Sequence, residues 1–100
     1  MLSNKEIQNR IAQLNNDWEL KEDKIVKSYE LPSFMHAIEF VNEIAEIAEA
    51  HNHHPIITIN WKTVRLSLKS FDVNAITNRD FVLANDIENI FTKRNFYKEK

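Results

Sequence analysis

Glu49-Ala50-His51-Asn52-His53-His54-Pro55 gathers three of the chain's four histidines within seven residues. Imidazole is the one side chain whose unperturbed titration falls between about pH 5 and 8, so neighbouring histidines can both deliver and accept a proton. Acid–base work on a bound molecule is the chemistry these residues suit, with the Glu49 carboxylate close by. His51, His53, His54 and Glu49 are also donor types that zinc or nickel takes, although no other strong ligand cluster accompanies them. A plainer reading has His53 and His54 as polar residues that merely end a helix before a proline.

Proton-transferring side chains need a firm frame, and the cluster lies where a helical pattern gives way to a strand pattern. Ser33 after Pro32 reads as an N-cap, and from there Phe34, Ala37, Ile38, Val41, Ile44, Ala45 and Ala48 fall on one side of a helix with Phe40 and Ile47 at its flank. Asn42, Glu43, Glu46 and Glu49 face away, His36 sits on the solvated rim, and Pro55 ends the run. Beyond it Ile57, Ile59 and Trp61 alternate with polar or flanking residues, and after a turn at Lys62-Thr63 so do Val64, Leu66 and Leu68, which predicts a hairpin. A weaker hairpin precedes the helix, with Trp18 and Leu20 on one strand and Ile25, Lys27, Tyr29 and Leu31 on the other. Two outer helices complete the order. The first starts at a Ser3–Glu6 capping box and runs to about Asn15-Asn16. The last starts at Thr77 with Asp80 in the N3 place, buries Phe81, Ala84, Ile87, Ile90 and Phe91, and frays after Lys93-Arg94. The expected fold is α+β in two layers, α-ββ-α-ββ-α, with three helices on one face of a four-stranded antiparallel sheet.

Composition narrows the function classes. One hundred residues predict a single domain over 1–100, with a core small enough to gain from a partner subunit. A net charge of −2 gives no electrostatic reason to expect nucleic acid or an anionic membrane. The absence of cysteine removes thiolate nucleophiles, disulfides and zinc–thiolate sites, and the absence of glycine removes the phosphate-cradling loops of nucleotide sites. No apolar run approaches the length of a membrane span, so a cytoplasmic location is the expectation.

Laid out this way, the chain resembles the pterin-4a-carbinolamine dehydratase family along nearly its whole length. Glu49, His53, His54, Pro55, Trp61 and Asp80 stand at the spacings of that family's signature, and Trp18, Tyr29, Leu31, Phe34 and Ala37 fall where it has aromatic or apolar residues. The departure is Ser70-Phe71, where the family usually has Thr-His, followed here by Ala75-Ile76-Thr77 in place of Gly-Leu-Thr. The resemblance implies an enzyme that removes water from a 4a-hydroxytetrahydropterin, giving a quinonoid dihydropterin, with no metal or redox cofactor. By that likeness His53 and His54 are the acid and base, in either order, and Asp80 orients an imidazole in addition to capping its helix. Glu49, Pro55, Trp61, Ser70, Phe71, Asp72 and Val73 hold the pterin; Trp61 also has a simpler reading as a core or interface aromatic. The resemblance further implies a homodimer or homotetramer. Phe71 leaves open a second reading, a non-catalytic interaction protein on the same scaffold, since animal members have a second role with a homeodomain transcription factor.

Overall fold

A reciprocal cap starts the first element: the Ser3 hydroxyl accepts the Glu6 amide, and the Glu6 carboxylate accepts the Ser3 amide and is held below its ordinary titration range by that bond. The computed structural model describes residues 1–14 and 17–96. The helices are α1 (Asn4–Gln13), α2 (Phe34–His51) and α3 (Asn78–Lys93), and the strands are β1 (Glu19–Lys21), β2 (Lys24–Glu30), β3 (Ile56–Asn60) and β4 (Thr63–Leu68). The end expected for the first helix at Asn15-Asn16 lies outside the described residues. Helices and strands follow one another in the order read from the sequence, and the four strands form one antiparallel sheet, β1-β2-β4-β3. None of these helices is long and apolar enough to cross a membrane.

Register decides which face is buried. Ile25, Lys27 and Tyr29 pair with Leu68, Leu66 and Val64, so these six share a face, and alternate residues such as Ser28 and Arg65 point the other way. The helices cover that face with Ile7 of α1, Ala37, Phe40 and Ile44 of α2, and Phe81, Leu83, Ala84 and Ile87 of α3. Lys27 points into this layer and meets Glu88 of α3 at 2.6 Å, where the Tyr29 hydroxyl and the Trp18 indole N–H also donate.

Three details differ from the expectation. On α2 the buried line is Ala37, Phe40, Ile44 and Ala48, while Phe34 and Ala45 are exposed. The apolar arc is wider than the sheet and α3 can cover, so contact settles on Phe40 rather than on the centre of the arc. His36 is half-buried, its Nδ1 2.5 Å from the hydroxyl of the cap residue Ser33. After Arg94 the chain does not fray at once: Phe96 is 2% exposed, its ring 5.4 Å from that of Phe40, because an aromatic two residues past the cap can still reach the core.

A chain without glycine must make its left-handed turns from other residues. Of seven described residues with positive φ, five are Asn or Asp, the types that tolerate this conformation best. Asn52, at φ 51°, is the one that matters for the histidines.

Candidate active site

Asn52 ends α2 in the left-handed conformation, and the His53 amide then donates back to the Ala48 carbonyl at 3.0 Å. This closure turns the His53 side chain inward, leaving the residue 7% exposed, while His54 stays on the outside. Inside, His53 Nε2 lies 2.6 Å from Oδ1 of Asp80, which is fully buried. The other carboxylate oxygen accepts the Thr77 amide and the Ser70 hydroxyl, each at 2.9 Å. Ser70 is itself 2.6 Å from the Thr77 hydroxyl. Asp80 thus caps its helix and grips an imidazole in the same position. Because the carboxylate only accepts, the shared proton sits on Nε2, which leaves Nδ1 as the ring atom able to exchange one.

The two neighbouring histidines have carboxylates of their own. His54 Nε2 is 2.5 Å from Glu49, a pair exposed to solvent, and His51 Nε2 is 2.7 Å from Asp86 of α3. The three imidazoles therefore turn to three different carboxylates. Among the described residues no group of three or more such side chains is gathered as a metal site.

A small cavity of about 110 Å³ opens beside His53, lined also by His51, Asn78, Arg79 and Val82. Arg79 also borders a larger groove of about 350 Å³ with Met1, Val73, Ala75 and Thr77. Its guanidinium donates to Asp72 at 2.8 Å, and this bond holds the Asp72 carboxyl below its ordinary range and raises Arg79. The loop that carries Asp72 is closed by a bridge between Ser70 and Ala75, leaving Phe71 at 53% and Val73 at 56% exposure at its tip. Pro55 is half-buried at the start of β3.

The structure brings His53, Ser70 and Asp80 into one hydrogen-bonded unit and joins His54 to Glu49, but His54 does not line the cavity. Trp61 is a correction. It is 69% exposed at the β3–β4 turn, with Lys62 Nζ 4.5 Å from its ring centroid, so it belongs to no core. The whole of β3, about 17 Å at the usual strand rise, separates it from Pro55. Within one chain it cannot join His53 in holding a ligand. Arg79 and Asp86 were missed by the sequence reading. Their signal was helical spacing, since Arg79, Val82 and Asp86 follow at i, i+3 and i+7 on one stripe of α3.

The fold is a two-layer α+β domain with a buried histidine–aspartate pair beside a cavity. The model of the family described as pterin 4 alpha carbinolamine dehydratase matches residues 1–90. The chain belongs to that family. A Roseiflexus sp. (strain RS-1) protein bearing the family's name is 44% identical over 89 residues, covering 89% of this chain and 95% of its own. One from Rickettsia canadensis is 39% identical over 88 residues, covering 87% and 81%. Among solved structures, a Brucella melitensis protein described as a transcriptional coactivator/pterin dehydratase superposes with a TM-score of 0.84 at 24% identity, covering 89% of this chain and 96% of its own. A pterin dehydratase-like protein described as a RuBisCO assembly factor in the alpha-carboxysome superposes with a TM-score of 0.66 at 15% identity, covering 76% and 90%. These two likenesses speak to the fold.

Proposed function

We propose that this protein dehydrates a 4a-hydroxytetrahydropterin to the quinonoid dihydropterin. The observation that carries the reading is the His53 imidazole fixed to buried Asp80 on the wall of a cavity. In the reaction the C–O bond breaks as the leaving oxygen takes a proton, and the adjacent ring nitrogen gives up its own proton as a C=N bond forms. Water is the second product, no electron is gained or lost, and no redox cofactor is called for. His53 carries one of the two transfers through Nδ1, with Asp80 fixing its tautomer and angle. A cavity of about 110 Å³ takes one edge of the bicyclic ring, and the remainder extends past Arg79 toward the groove at Val73 and Ala75. His54 and Glu49 stand at the solvent side, where a polar edge of the substrate and the departing water are met. The protein works as a homo-oligomer, since β3 has an unpaired edge and α2 leaves Phe34 and Met35 exposed.

The test is a dehydration assay on freshly generated carbinolamine, read against its spontaneous loss of water. Acceleration proportional to protein concentration is expected; a folded protein that leaves the spontaneous rate unchanged sinks the reading. The same exposed apolar surfaces favour a second reading, an interaction protein on this scaffold, in line with the coactivator and assembly-factor descriptions of the two solved relatives. Inactivity together with tight partner binding would select it.

A further inference from the structure

Two proton transfers need two groups, and of the three clustered histidines only His51 joins His53 on the cavity wall. His51 is in the last turn of α2, where its ring reaches across to α3 and meets Asp86 Oδ2 at 2.7 Å through Nε2. That contact repeats the one His53 makes with Asp80: carboxylate on α3, imidazole bonded through Nε2, Nδ1 left to exchange a proton. Burial sets the two pairs apart. The His53 side chain is 8% exposed and its aspartate fully buried, whereas His51 is 40% exposed and Asp86 34%. A half-exposed imidazole trades protons with water directly, whereas His53 regains or sheds its proton only through the cavity once product has left. A surface ion pair alone gives little stability, so a tie between helices is a thin reason for this arrangement.

We infer that His51 is a second catalytic residue of the site, transferring a proton between the bound pterin and solvent, with Asp86 as its positioning residue. The inference rests on the dehydratase reading and adds to it the group opposite His53. One pair works enclosed; the other couples the cavity to the medium. Arg79 and Asn78, on the same wall, supply hydrogen-bond donors to the ligand without titrating near neutrality.

The experiment measures kcat and KM for carbinolamine dehydration by the full chain and by His51→Gln, Asp86→Asn and the double variant, with thermal unfolding alongside. His51→Gln is expected to lower kcat by about 10²-fold at nearly unchanged KM. Asp86→Asn should lower kcat by a smaller factor, and the double variant should be no slower than His51→Gln, because the aspartate acts through the histidine. Should His51→Gln fail to fold, Asp86→Asn carries the test by the same kcat-against-KM split. Acceleration by the wild type with kcat unchanged in the variants overturns this inference alone. A wild type with no acceleration overturns it together with the dehydratase reading.

Discussion

Asp80 and Glu88 are carboxylates on α3 two turns apart, both turned into the protein and each met by three donors. Asp80 receives the His53 ring, the Ser70 hydroxyl and the Thr77 amide. Glu88 receives the Lys27 ammonium, the Tyr29 hydroxyl and the Trp18 indole. No buried side-chain nitrogen or oxygen among the described residues lacks a partner, so neither site stands out by being unsatisfied. They differ in whether the partner can give up a proton near neutrality. Burial, and after it the bond to Glu88, push the Tyr29 hydroxyl far above its ordinary range, and neither an ammonium nor an indole releases a proton easily. Imidazole does. The Glu88 cluster locks β2 and the Trp18 segment to α3, while the Asp80 cluster sets an imidazole beside a cavity, where the proposed reaction calls for a proton carrier.

Removing the key residue from each cluster breaks the comparison most directly. His53→Ala is expected to lower the catalysed rate by about 10² to 10⁴, measured as turnover on carbinolamine. If the folded variant keeps wild-type turnover, the two carboxylates have the same, purely structural role. Glu88→Ala leaves Lys27 and Tyr29 without their acceptor, and the loss of that acceptor in a part-buried cluster should cost about 1 to 3 kcal/mol in urea unfolding. Turnover per folded molecule should stay within about twofold. Loss of turnover in a fully folded Glu88→Ala protein would carry the chemistry to the wrong end of the helix.

The same pair of clusters marks what could be read from the sequence. Ser3 with Glu6, and Thr77 with Asp80, announced two helix starts, and alternation at Ile25–Leu31 and Val64–Leu68 announced two strands, though not that they pair with each other. Position 27 even fell on the inward side of its strand, although a lysine there gives no hint of what meets it. Glu88 was silent because a glutamate on an amphipathic helix reads as solvent-facing unless the opposing lysine is already placed. For the candidate site, the histidine cluster and the family resemblance pointed to His53, His54 and Asp80, but not to the division among them. Asn52 in the left-handed conformation sends one histidine in and the next out, and no side-chain pattern encodes that choice. The core reading of Trp61 fails for a related reason: sequence spacing counts residues, whereas a strand converts that count into distance.

His54→Ala tests the outward half of that division. Since His54 lies outside the cavity with Glu49, its loss is expected to cost about tenfold in kcat/KM, about 1.4 kcal/mol of transition-state binding, and less than the loss of His53. Equal losses at 53 and 54 would mean that burial does not separate their roles.

Phe71→His carries the smallest expected effect and probes the comparison from the side of gain. Position 71 is where the family resemblance leads one to expect a histidine, and here an aromatic ring stands 53% exposed at the tip of a loop anchored by Ser70 and Ala75. Ser70 donates to Asp80, so the loop is tied through one residue to the His53 cluster. An imidazole placed there stays in contact with water and needs no buried partner, so stability should change by no more than about 0.5 kcal/mol. It would be a third titrating ring near the cavity but, unlike His53, one without a fixed carboxylate. An unheld imidazole samples many orientations, and only a fraction of them point at a reacting atom. A rise in dehydration rate of a few-fold above wild type is therefore expected, well short of the loss predicted for His53→Ala. If a stable Phe71→His protein runs at the wild-type rate, the loop tip is out of reach of the reacting atoms and proton transfer is confined to the cavity wall. If it gains a hundredfold or more, orientation by a buried carboxylate matters less than the number of imidazoles, and the contrast between Asp80 and Glu88 loses its catalytic meaning.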